Sequence, residues 1–106
     1  MPNIVAANGI VTHINVFTVA PERQDELVQS LVETVKAASR MPGWISASIH
    51  RSYDGRQVTN YVQFESSEAA QRVTHQLLAM GLIQRNTAIG TVSPGQYEVA
   101  FTLTRS

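Results

Sequence analysis

The sequence contains no cysteine, which excludes a disulfide framework, a cysteine-ligated zinc site, an iron–sulfur cluster and a thiol nucleophile together. It also lacks an excess of either charge. Eight Lys+Arg stand against eight Asp+Glu in 106 residues, with no basic cluster that could track a nucleic-acid backbone or an anionic membrane. Neither partner is expected. No run approaches the ~20 apolar residues of a membrane span, and the first nine residues carry no basic stretch, so the reading is a soluble, cytoplasmic protein. The phosphate-loop and dinucleotide glycine patterns are missing, and no two histidines stand at HxH or HExxH spacing. Neither a bound nucleotide nor a metal is expected.

What is present suits one compact domain. With 43% hydrophobic residues, a chain of this size buries roughly 60–70% of its unfolded surface, enough for one core but with little stability to spare. A second copy of the chain is therefore a natural partner. The division expected is a tail over residues 1–9 and a domain over 10–106.

Ile10 to Val19 is rich in β-branched residues and ends at Ala20-Pro21, as a strand followed by a helix with proline in its first turn. Leu27, Val28, Leu31, Val32 and Val35 then recur at helical spacing until Met41-Pro42-Gly43. Trp44–Ser52 and Gln57–Glu65 read as strands around Asp54-Gly55, a strong hairpin signal. Ser66 or Ser67 caps a second helix with Ala69, Ala70, Val73, Leu77 and Met80 on its apolar stripe, ended by Gly81. A short helical turn over 82–89, a loop over 90–95 and a last strand over Gln96–Thr104 follow. The order βαββαβ is the ferredoxin-like α+β arrangement, a four-stranded antiparallel sheet with helices on one face. The other sheet face stays open.

With Asp54-Gly55 as a two-residue turn, Ile45 pairs with Phe64, Ala47 with Val62 and Ile49 with Asn60, and these residues form the face under the helices. The opposite face carries Trp44, Ser46, Ser48, His50, Tyr61 and Gln63, a mixed polar and aromatic surface suited to an interface with a second copy. Asn60 is the one amide on the helix-covered face. Burying it unpartnered costs about 1–3 kcal/mol, so it needs a hydrogen bond. In the first strand, His13, Asn15 and Phe17 share one face, and the sequence leaves open whether that face points inward. His75 falls off the apolar stripe of its helix and reads as a surface residue, whereas His13 is the histidine placed to serve as an acid or base in a pocket.

Three stretches carry a family resemblance: His13-Ile14-Asn15-Val16-Phe17-Thr18-Val19, Met41-Pro42-Gly43-Trp44, and Ser52-Tyr53-Asp54-Gly55 through Val58-Thr59-Asn60-Tyr61-Val62-Gln63-Phe64-Glu65-Ser66. Over roughly residues 10–103 the chain resembles an antibiotic biosynthesis monooxygenase (ABM) domain. The resemblance implies a dimeric α+β barrel in which two sheets pack through their open faces. It also implies an apolar pocket between sheet and helices that oxidises anthrone-type phenols with O2 as co-substrate and no metal or flavin. Asn15 and Asn60 match the two pocket asparagines of that group, and Arg85 matches an arginine used in one branch. Phe64 stands where those oxygenases usually have tryptophan, and Ala70 where one branch has tyrosine.

On this reading Asn15, Asn60 and Arg85 stabilise a developing oxyanion, His13 is the candidate base, and Phe17, Val62 and Phe64 wall a small aromatic substrate. The replaced tryptophan favours an alternative on the same scaffold, an isomerase or cyclase that stabilises an enolate without O2. A third reading is a non-catalytic small-molecule-binding accessory protein. The oxygenase reading requires a cavity beneath the helices in which Asn15 and Asn60 converge.

Overall fold

The computed structural model describes residues 9–105, so the expected tail lies outside the described residues but for Gly9. Strand β1 (Val11–Thr18) leads through a single 3-10 turn at Pro21–Arg23 into helix α1 (Gln24–Ala38). Strands β2 (Trp44–Arg51) and β3 (Gln57–Phe64) form a hairpin, followed by α2 (Ser67–Ala79), α3 (Leu82–Ile89) and β4 (Thr91–Tyr97). The sheet is antiparallel with strand order β2-β3-β1-β4. This is the ferredoxin-like α+β fold.

Local chemistry accounts for the joints. Proline fixes the backbone at the first turn of the α1 entry. Gln24 is buried there, and its Nε2 donates to the carbonyls of both Ser52 and Gln57, 3.0 Å each, which ties α1 to the mouth of the hairpin. After α1 the chain reverses at Gly43, whose φ of +90° suits glycine, and whose missing side chain makes room for Ala69 at the start of α2. Ser66 caps α2 by accepting from the backbone N–H of Ala69 at 3.1 Å.

Register decides which side chains meet the helices. Asn15 stands opposite Asn60, His13 opposite Val62 and Phe17 opposite Val58, so the face of β1 left open by the sequence is the inward one. In the hairpin, Ala47 faces Val62 and Ile49 faces Asn60, in the expected register. The loop differs. Ser52 and Gln57 close it through a 3.0 Å backbone bond around four residues, 53–56, rather than two; both loops keep the same register because they share a centre.

Two expectations are corrected. The register shifts between Trp44 and Ser46, so Ile45 is an extra, bulged residue and Trp44, not Ile45, stands opposite Phe64. The bulge turns Trp44 onto the helix side, where it packs against the cluster of Val62, Phe64, Ala69, Ala70, Val73 and Leu77, and leaves Ile45 exposed. Trp44 therefore does not belong to the open face. The last strand runs over Thr91–Tyr97 instead of Gln96–Thr104. Pro94 and Gly95 suggest a loop, but β4 is an edge strand bonded only to β1, where proline is tolerated. The alternating Phe101 and Leu103 lie beyond it, exposed.

The core has two parts. One lies under α2 as described; the other joins Phe17, Val19 and Val58 of the sheet side to Leu27, Val28 and Leu31 of α1.

Candidate active site

Between helices and sheet the structure holds a cavity of about 440 Å³, lined from both parts of the core. That volume lies in the range of small-molecule sites. Its sheet wall is Val11, His13, Asn15, Phe17, Asn60, Val62 and Phe64, with Val92 and Pro94 of β4. Its helix wall is Leu31, Thr34, Val35 and Ala38 of α1, Ala70 and Leu77 of α2, and Ile83 and Asn86 of α3. Exposed Gln71, His75, Thr87 and Gln96 also line it and form a polar rim. His75 is thus a solvent-exposed residue, as its position on the helix predicts, and also part of the cavity mouth.

The two asparagines meet. Opposite each other on β1 and β3, they are joined by a 2.9 Å hydrogen bond from Nδ2 of Asn15 to Oδ1 of Asn60. This bond uses the Asn60 acceptor and leaves its Nδ2 with no hydrogen-bond partner among the described residues. A pair of amides on a largely apolar wall therefore offers donors, the arrangement an oxyanion needs.

His13 lies one strand repeat away on the same wall and packs edge-on against Phe64 with ring centroids 5.0 Å apart. Its Nε2 is buried without a hydrogen-bond partner among the described residues. Burial lowers its pKa from the ordinary 6.5, since the cation loses hydration there. Burial thus favours the neutral imidazole.

Phe17, Val62 and Phe64 line the cavity as the sequence predicts. Arg85 does not line it. Its Nε donates to Oγ of Ser30 at 2.9 Å and its guanidinium pairs with Glu33 at 3.0 Å, on the seam between α1 and α3. Beside that seam is a residue that sequence reasoning missed: Asn86, 3% exposed, bonded to Ser30 and Thr34. One signal pointed to it. Ser30 and Thr34 stand one turn apart beside the apolar stripe of α1, and hydroxyls buried there require a polar partner.

No group of three or more His, Asp or Glu side chains among the described residues is arranged to hold a metal ion. No helix of the described residues is long and apolar enough to cross a membrane.

The sequence model of the antibiotic biosynthesis monooxygenase family matches residues 10–76. Over 76 residues the chain is 46% identical to tetracenomycin-F1 monooxygenase of Streptomyces glaucescens, covering 71% of this chain and 67% of that protein. Among solved structures, SnoaB of Streptomyces nogalater, described as a cofactor-independent oxygenase, superposes with a TM-score of 0.78 at 22% identity, over 92% of this chain and all of that one. The ActVA-Orf6 monooxygenase of Streptomyces coelicolor, solved with nanaomycin D, superposes with a TM-score of 0.76 at 24% identity, over 92% of this chain and 93% of that one.

Proposed function

This chain belongs to the antibiotic biosynthesis monooxygenase family, and from that premise we propose that it is a cofactor-independent oxygenase converting an anthrone-type phenol of aromatic polyketide origin to a quinone with O2. The observation that carries the reading is the Asn15–Asn60 pair on the wall of an otherwise largely apolar cavity of about 440 Å³. The named relative, an enzyme acting on tetracenomycin F1, and the nanaomycin-bound neighbour support the substrate class.

The mechanism follows from the substrate's own electrons. His13 accepts a proton from the ring methylene or phenol, and the amide N–H groups of Asn15 and Asn60 hold the resulting oxyanion. The anion passes one electron to O2; the carbon radical and superoxide recombine into a peroxide C–O bond. Loss of the second methylene hydrogen with cleavage of O–O gives the quinone carbonyl, and one oxygen atom leaves as water. Phe17, Val62 and Phe64 hold the flat ring system and keep water from the intermediates. Arg85 takes no part at the reacting atoms here, because its guanidinium is engaged with Ser30 and Glu33.

The same reading includes a homodimer. The open sheet face carries half-buried Ile14 and Val16 with exposed His50 and Tyr61, and Tyr61 packs edge-on against His50 at 5.2 Å. Gln63 lies on this face, donating to Thr12 at 3.2 Å, with its Oε1 buried and unpartnered among the described residues. A second copy laid on this face would cover its apolar residues and complete the barrel.

Oxygen uptake by the metal-free protein with a simple anthrone tests the reading. The expected result is uptake above spontaneous oxidation with a quinone as product and no product under nitrogen. Turnover of the anthrone under nitrogen would move the assignment to an isomerase or cyclase, and binding without turnover to an accessory protein.

A further inference from the structure

The polar contacts between α1 and α3 form a continuous chain of hydrogen bonds. A guanidinium only donates, so Nε of Arg85, 2.9 Å from Oγ of Ser30, gives that oxygen a hydrogen. The hydroxyl hydrogen of Ser30 then goes to its other neighbour, Oδ1 of Asn86. Thr34 donates its own hydroxyl hydrogen to the Ser30 carbonyl at 3.0 Å and accepts from Nδ2 of Asn86 at 3.0 Å. The amide of Asn86 thus points Oδ1 at Ser30 and Nδ2 at Thr34.

Ser30, Thr34 and Asn86 are all buried, and Thr34 and Asn86 line the cavity while Arg85 and Ser30 do not. Nδ2 of Asn86 carries two hydrogens, and Thr34 takes one. A network serving only to join two helices needs no spare donor, and leaving one buried costs stability.

We infer that Asn86 presents this second amide hydrogen to the cavity as a substrate contact on the helix wall, opposite the Asn15–Asn60 pair, and that Arg85 is the positioning residue that sets its orientation. The inference rests on the proposed function and narrows it. The substrate is a polycycle bearing oxygen substituents at two separated positions, one read from the sheet and one from α3.

The test follows the side-chain amide signals of Asn15, Asn60 and Asn86 by NMR during titration of the full chain with 1,8-dihydroxyanthraquinone. This probe has ring oxygens at separated positions and no reactive methylene. The expected result is that the Asn86 hydrogen not bonded to Thr34 shifts together with the Asn60 signals. In Arg85→Leu, binding weakens about tenfold, the loss of about one net hydrogen bond, and the Asn86 shift disappears while that of Asn60 persists. The titration of the unaltered protein stands by itself if the variant does not fold. Shifts at Asn15 and Asn60 with Asn86 silent overturn the inference and leave the site reading intact. Silence at all three overturns the site reading with it.

Discussion

Asn15 donates to Asn60 across the β1–β3 ladder at 2.9 Å, and the direction of that bond divides their roles. Asn60 spends its acceptor on its neighbour and keeps its donors for the cavity, so in the proposed mechanism it is the stronger oxyanion ligand of the two. Replacing Asn60 with alanine removes those donors and leaves Asn15 unpaired. By analogy with single oxyanion donors elsewhere, anthrone oxidation should fall about 10²–10³-fold. Initial rates of oxygen uptake check this, and a fall of less than threefold would count against the amide pair.

Burial of His13 makes stability depend on pH with a definite sign, and the proposed mechanism extends that dependence to activity. Burial lowers its pKa from 6.5, so between that value and the lowered one the unfolded chain binds the proton more strongly than the folded chain. Stability therefore rises with pH through this window and is lost as pH falls below 6.5. Thermal melts should show a drop in Tm on acidification that His13→Gln diminishes. The same variant should slow turnover about 10²-fold and flatten the acid limb of the rate profile, because glutamine cannot accept the proton. An unchanged acid limb would remove His13 from the mechanism.

Most of the fold was legible because strand alternation, helical spacing and the glycine and proline stops agree with one another. The hairpin register was readable from Asp54-Gly55 even though the loop holds four residues. The bulge at Ile45 was not, because Trp44 and Ile45 are both apolar and either can fill the inner position; packing under α2 chooses Trp44. Pro94 and Gly95 concealed β4, since an edge strand and a loop place similar demands on local sequence. Of the cavity's sheet wall, Asn60, Val62 and Phe64 were readable from alternation, whereas alternation left the face of Asn15 and Phe17 open and only the resemblance turned it inward. The seam of Ser30, Thr34, Arg85 and Asn86 was not, because it depends on where α3 docks, which no local pattern in eight residues specifies.

Gly43 sets the angle between the α1 exit and α2. A Cβ there would lie 2.4 Å from Cβ of Ala69, and φ is +90°. Gly43→Ala should cost about 2–4 kcal/mol, combining left-handed backbone strain with overpacking. Adding Ala69→Gly should recover the overpacking part alone, so that urea unfolding of the two single variants and the double variant gives a non-additive cycle. Full additivity would mean that the two positions do not touch.

Tyr61 tests the open face. It is 37% exposed, and a second copy packed on the sheet would bury it beside His50. Light scattering should give twice the chain mass for the unaltered protein. Tyr61→Glu should give the single-chain mass, because an unpaired carboxylate cannot be buried in such an interface without a large desolvation cost. A single-chain mass for the unaltered protein would remove the dimer.

Ala70 separates a functional cavity from a packing defect. Its side chain is 3% exposed on α2 and lines the cavity. Ala70→Leu adds three methyl(ene) groups that can point into empty space, where each buried group contributes roughly 0.8 kcal/mol if it meets no obstruction. The expected outcome is a Tm equal to or above that of the unaltered protein, with loss of anthrone oxidation and of anthraquinone binding. Stability and activity then move in opposite directions, as they do when a protein keeps a space open for a ligand. If the leucine variant lost stability and kept its activity, the space would not be where the substrate sits, and the oxyanion role of Asn60 would fall with it.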